Sequence, residues 1–233
     1  MEPVALEQPE KGYLEKIKKL CRHNGAVLIF DEVITGFRVN LGGAQKYFNV
    51  TPDLCCMGKG MANGMPLSFV AGKKEIMELI DHGAFISTTF GGETLSLAAA
   101  IATIKVMEQE DYFDHIWTLG VRWLEKIDKV IKRKNYNDFI CTSGMPPHCG
   151  LMFRDFKGIL SEDWKSLFIQ EIIARGILSF GVNNYCLSHT KEDVDEYADT
   201  VDKALDMFPK AIDSGSVEPL LKGGKFIPVF ARN

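Results

Sequence analysis

Ala26-Val27-Leu28-Ile29-Phe30-Asp31-Glu32 decides the fold class. Five apolar residues in succession, without polar alternation, describe a strand covered on both faces, as in a parallel sheet between helices. Two acids close the run, and in an open α/β sheet the C-terminal edge is where ligands bind. Upstream, Leu14, Ile17, Leu20 and Cys21 recur at helical spacing over Tyr13 to Cys21, opposite Lys16, Lys18 and Lys19, and His23-Asn24-Gly25 ends that helix. Downstream come a loop through Gly36, Gly42 and Gly43 and a short helix from Ala44 to Phe48. A second buried strand follows over Asp53 to Met57 and a third over Leu67 to Ala71. Lys74 to Asp81 reads as a short helix, Ser87-Thr88-Thr89-Phe90-Gly91-Gly92 as a polar turn, and Glu93 to Glu108 as a long helix. Ala98, Ala99, Ala100 and Ala102 give that helix high propensity and permit close packing.

The character changes near Asp111. A helix is predicted from Tyr112 to Arg133 with Ile116, Leu119, Trp123, Ile127, Val130 and Ile131 as its apolar stripe, and its basic end (Lys129, Lys132, Arg133, Lys134) as a solvated face that suits the helix dipole. Short strand-like pieces lie in Thr142 to Asp155 and Gly176 to Leu187, and helices over Glu162 to Arg175 and Glu192 to Phe208. Strands mixed with helices describe a smaller α+β domain, so the expected division is 1–108 and 109–233. The 233 residues carry a formal charge of −4 and are 46% hydrophobic. That is enough for a sizeable core and gives no electrostatic reason for a nucleic-acid or membrane partner. Six scattered cysteines, without CxxC or Cys/His ligand spacing, point to reduced thiols in a cytoplasmic protein and away from a metal site.

Lys59 is the candidate nucleophile. It sits in Pro52-Asp53-Leu54-Cys55-Cys56-Met57-Gly58-Lys59-Gly60-Met61, a run with no other cation, just after a strand. Low local polarity lowers an amine's pKa, as a Schiff-base lysine requires. The alternative is an exposed turn lysine, as Asp31 could be a strand-end cap, Val33 a core residue, and Thr88 or Thr89 a helix cap.

Asp31-Glu32-Val33-Ile34-Thr35-Gly36-Phe37-Arg38, Thr51-Pro52-Asp53 with Gly58-Lys59-Gly60 and Gly64-Met65-Pro66, and Ser87 to Gly92 before an Ala-rich helix resemble, in this order, the class III (subgroup II) pyridoxal-phosphate aminotransferases. Asp31 to Gln45 is similar to the glutamate-1-semialdehyde 2,1-aminomutase branch of that family. The resemblance implies an α/β fold of the aspartate-aminotransferase type (fold type I), with pyridoxal 5′-phosphate as cofactor. Lys59 would carry the Schiff base and move the proton, and Asp31 would pair with the pyridine nitrogen. Val33 would pack on the ring, and Thr89, or Thr88 beside it, would bind the phosphate. A small-molecule amino donor, a carbonyl acceptor and a homodimer with a shared site are also implied. The hydroxyl beside Gly91-Gly92 and a helix N-terminus reads as an anion site in its own right.

The likeness opens at Glu2-Pro3-Val4, which lies near the middle of family members. Met1 therefore reads as an internal methionine and the chain as a C-terminal half, N-terminally truncated. Such a fragment is expected to fold poorly or bind cofactor weakly, or to be a non-catalytic remnant that binds a partner. The aminomutases carry Gly-Asn-Pro after the phosphate threonine, where this chain has Phe90-Gly91-Gly92-Glu93-Thr94. They carry a glutamate at the position of Gly181 and a more Gly-rich turn at Ala62-Asn63-Gly64. These departures favour an aminotransferase for another amine or carbonyl, a sugar or amino-acid derivative among them, with the aminomutase as the alternative.

Overall fold

A computed structural model describes residues 7–109, 111–155, 157–158 and 161–227; Glu2-Pro3-Val4 lies outside them. The chain divides into two compact units, Met1–His115 and Ile116–Asn233.

The first unit holds α1 (Tyr13–His23), β1 (Ile29–Asp31), α2 (Gly43–Tyr47), β2 (Leu54–Met57), β3 (Phe69–Gly72), α3 (Lys74–Met77) and α4 (Thr94–Gln109). The sheet order is β1-β2-β3. β1 and β2 are parallel, as the apolar run implies, and a crossover containing α2 joins them. β3 is antiparallel to β2, because the link from Gly58 to Ser68 holds only a 3₁₀ turn and is too short for a crossover helix. The expectation of a strand covered on both faces is met on one face only. Leu28 and Phe30 are buried, but Val27 and Ile29 are 50% and 54% exposed, so the described residues cover that side of the sheet only in part. α4 shows the same asymmetry. It is apolar all round, with Ser96, Ala100 and Met107 buried and Leu95, Leu97 and Ile101 exposed. On α1 only Leu14 is buried, and Leu20 is exposed.

Asp53 ties this sheet together. The Leu28 N–H donates to its Oδ2 (2.8 Å), its own N–H donates to the Leu28 carbonyl (2.8 Å), and Lys73 Nζ lies 2.6 Å from Oδ1. The Lys73 ammonium and the Leu28 N–H hold its carboxyl below the usual range. Thr51-Pro52-Asp53 therefore sets the alignment of β1, β2 and the residue after β3.

The second unit holds most of α5 (Tyr112–Lys134), then β4 (Ile140–Met145), β5 (His148–Phe153), α6 (Glu162–Ala174), β6 (Val182–Asn184), α7 (Lys191–Ala204) and α8 (Phe208–Ser214). β4, β5 and β6 form an antiparallel sheet in that order. The α5 stripe is buried at every predicted position except Val130, which is half-buried. Ile116, Leu119, Trp123, Ile127 and Ile131 are buried, and Trp123 stacks on Tyr197 of α7 at 5.8 Å. Phe208 forms an aromatic hub with Tyr136, Phe153 and Trp164, at centroid distances of 6.1, 6.1 and 5.2 Å. α5 meets the β4–β5 turn at Gly120, where a Cβ would stand 1.9 Å from the Pro146 carbonyl oxygen.

Arg122 grips Asp195 of α7 through two bonds (2.6 and 2.5 Å), and Lys126 adds a third contact at 3.0 Å. The basic end of α5 is not merely solvated. Arg133 pairs with Asp202, and Lys134 with both Asp202 and Asp206, so these charges join α5 to α7 and the turn after it. Asp193 and Thr190 close a capping box at the start of α7.

Candidate active site

The site is built on the C-terminal edge of β1 and β2. Parallel pairing sets Ile29 against Leu54, Phe30 against Cys55 and Asp31 against Cys56. Asp31 therefore ends its strand beside the residue that lies three positions before Lys59. The Glu32 N–H donates to the Cys56 carbonyl (2.8 Å), extending the ladder one step past Asp31. Asp31 and the chain leading to Lys59 thus leave the sheet at one edge, the place where open α/β sheets bind ligands.

Beyond β2 the chain leaves the sheet through Gly58 and forms a 3₁₀ turn, Lys59–Ala62. Lys59 has φ +44° and Asn63 φ +46°, so left-handed residues bracket the turn. Met61 and Ala62 are buried and anchor it, while Lys59 and Gly60 are exposed. α4 packs against this turn, which its run of alanines permits by keeping the helix surface close to its backbone. The run around Lys59, with no other cation, implies weakly polar surroundings, yet the described residues leave Lys59 open to solvent.

Asp31 is exposed, and its Oδ1 accepts from the Val33 N–H at 3.0 Å, which orients the carboxylate. Val33 is half-buried. Glu32, between them, points the opposite way and is fully buried. Its Oε2 accepts from Thr35 Oγ1 (3.2 Å) and from the Ala44 N–H, and its Oε1 accepts from the Gln45 N–H (3.1 Å). Glu32 is thus an anchor of the loop, and Asp31 is the acid presented at the edge.

Thr88 and Thr89 stand on a loop that is exposed from Asp81 to Gly92. The Gly91 N–H donates to the Thr88 carbonyl (3.4 Å) and the Glu93 N–H to the Phe90 carbonyl (3.2 Å), which makes the loop a tight turn into α4. The helix N-terminus expected to hold an anion already holds one. Glu93 accepts from the Leu95 N–H (2.7 Å), the Ser96 N–H (2.8 Å) and the Ser96 hydroxyl (2.7 Å). These bonds, the Ser96 hydroxyl foremost, hold its carboxyl below the usual range. Those two amides are therefore not open to a second anion. Glu93 was legible only as a departure from Gly-Asn-Pro; its capping role follows from a glutamate standing three residues before Ser96 at a helix start.

A carboxylate ending β1 and a primary amine two residues past the end of β2 suit a group bearing a basic ring nitrogen and an aldehyde, while the described contacts do not bring the hydroxyls of Thr88 and Thr89 to that edge.

Residues 5–197 match the class-III aminotransferase family. A glutamate-1-semialdehyde 2,1-aminomutase from Natranaerobius thermophilus is 35% identical over 222 residues, covering 88% of this chain and 51% of that protein. A 3-aminobutyryl-CoA aminotransferase from Cloacimonas acidaminovorans is 30% identical over 202 residues, covering 86% of this chain and 48% of that protein. The crystal structure of an omega-transaminase from Sphaerobacter thermophilus superposes with a TM-score of 0.78 at 25% identity, covering 86% of this chain and 49% of that one. The chain spans about half the length of the relatives it matches. The type I aminotransferase fold expected from the sequence is the fold of this chain over that half. Matched along most of its length and folded as these enzymes are, the chain belongs to the class-III aminotransferase family.

Proposed function

We propose that this chain supplies the amine and the ring-nitrogen acid of a pyridoxal 5′-phosphate-dependent amino transfer, between an amine or amino acid and a carbonyl substrate. The observation that carries this is the register of β1 on β2, which brings Asp31 and the approach to Lys59 to one sheet edge. When bound, pyridoxal 5′-phosphate supplies an aldehyde that takes up amines and a protonated ring that withdraws electrons. Lys59 Nζ would hold the cofactor and would take a proton from the substrate α-carbon and return it. The Asp31 carboxylate keeps the proton on the ring nitrogen, which an adjacent negative charge favours. Val33, stiff at χ1, would help hold the ring, and the Thr89 or Thr88 hydroxyl would help hold the phosphate. Membership of the family supports a cytoplasmic homodimer and a boundary between large and small domains after residue 108.

The identity to the aminomutase favours a second reading, in which one substrate serves as both donor and acceptor. The Lys59 and Asp31 chemistry is the same in both. Glu93-Thr94 and Gly181 favour the intermolecular transfer.

Two experiments test this. Borohydride reduction of the polypeptide with pyridoxal 5′-phosphate is expected to label the peptide holding Lys59; label on another side chain overturns the assignment. Incubation with glutamate-1-semialdehyde, with and without an added amino acceptor, separates the two reactions. Isomerisation without an acceptor sinks the preference for transamination.

A further inference from the structure

Glu32 is a fully buried acid that the chemistry above leaves without a role. A carboxylate is seldom taken wholly out of water unless hydrogen bonds replace its hydration. Here three donors do so, all from residues 35–45: the Thr35 hydroxyl and the Ala44 and Gln45 amides. The loop is shaped to bring them in. Gly43, at φ +69°, passes so close that a Cβ would stand 2.1 Å from Glu32 Oε2. Only glycine combines that conformation with that approach. The Glu32 main chain is held as well. Its N–H donates to the Cys56 carbonyl on β2 (2.8 Å), and its carbonyl accepts from the Gly36 N–H (2.8 Å). Side chain and both peptide groups of one residue are therefore fixed, and the next N–H along, that of Val33, is the donor that orients Asp31.

We propose that Glu32 is a positioning residue. It fixes the peptide between itself and Val33, and through that peptide it sets the direction of the Asp31 carboxylate and of the Val33 side chain relative to the strand that leads to Lys59. The stretch from Thr35 to Gln45 is on this view the coordination shell of a buried carboxylate. The run from Asp31 to Gln45, which most resembles the aminomutases, then records the support of the acid and says nothing of the substrate. The clamp itself stands on the hydrogen bonds alone; the identity of what Asp31 faces rests on the function proposed above.

The test uses the whole chain carrying Glu32→Gln. Glutamine keeps the shape but offers one acceptor oxygen where the carboxylate offers two, so one amide donor faces an NH₂ group. Hydrogen exchange of the Val33, Ala44 and Gln45 amides is compared with that of Cys55 in β2, as a control for overall folding. Exchange is expected to quicken tenfold or more at Ala44, Gln45 and Val33, with Cys55 little changed. A shift in the pH profile of the visible absorbance of added pyridoxal 5′-phosphate is expected alongside. Thr35→Val removes a single donor and is expected to give a smaller change in the same direction; it decides the matter if Glu32→Gln does not fold. Faster exchange at Ala44 and Gln45 with Val33 unmoved, in whichever variant folds, overturns the proposal and leaves Glu32 a loop staple. If no cofactor absorbance develops in the unaltered chain, the function proposed above is in difficulty, while the Val33 result still decides the role of Glu32.

Discussion

Gly120→Ala separates two physical arguments by sign. Gly120 lies in the middle of α5, where helix propensity alone makes alanine more stable by about 1 kcal/mol. The structure argues the reverse. A Cβ there would stand 1.9 Å from the Pro146 carbonyl oxygen, 2.2 Å from its carbon and 2.7 Å from its Cα. All three are backbone atoms, so no side chain can swing aside. The turn is also stiff, since Pro146-Pro147 fixes φ at two successive positions. Either the helix or the hairpin must retreat, and overpacking of this kind costs about 1–3 kcal/mol or more. Because the contact is with main chain, the upper end applies, and the net effect after the propensity gain is a loss of about 2 kcal/mol. Urea unfolding followed by the fluorescence of Trp123 and Trp164, both in this unit, measures it. A variant as stable as the parent, or more so, would refute the close approach of α5 to the β4–β5 turn.

Three further outcomes are expected. Phe208→Ala removes the ring shared by Tyr136, Phe153 and Trp164 and should destabilise the second unit by about 3–5 kcal/mol, read from the same unfolding curves. Arg122, with Lys126, holds the Asp195 carboxyl well below the usual carboxylate range, so this contribution is present above the unfolded value and is lost as pH falls through the depressed one. Melting temperatures of the parent and Asp195→Asn should therefore differ near neutrality and converge in acid; parallel curves would count against the pair. Burial pushes the Cys149 thiol up to about 12, so it should resist Ellman's reagent at pH 8 until denaturant is added, as peptide mapping would show.

The elements were legible where one periodicity governed them. The α5 stripe, Val130 apart, lies where its spacing sets it, because those residues answer to a single core. The strand ending in Asp31 and the parallel pairing that brings it toward Lys59 were likewise written in an unbroken apolar run and its closing acids. What could not be read were facts that depend on residues distant in sequence. Val27 and Ile29 are as apolar as Leu28 and Phe30, and only the three-dimensional arrangement leaves one pair exposed. Thr35 apart, the roles of Glu32, Asp53 and the Arg133–Lys134 pair depend on partners 12 to 72 residues away in sequence, which no local pattern announces. Glu93 illustrates a different limit. Gly91-Gly92 before a helix suggests an open anion site, and a carboxylate one residue later, by filling that place, reverses the inference.

The backbone at position 59 has a thermodynamic corollary. A residue bearing a Cβ pays roughly 1–2 kcal/mol to sit in the αL basin, and glycine there is nearly free of that penalty. Lys59→Gly should thus yield a polypeptide that melts later than its parent while losing the amine altogether. At this turn, the sequence that folds best and the sequence that could do chemistry are different sequences.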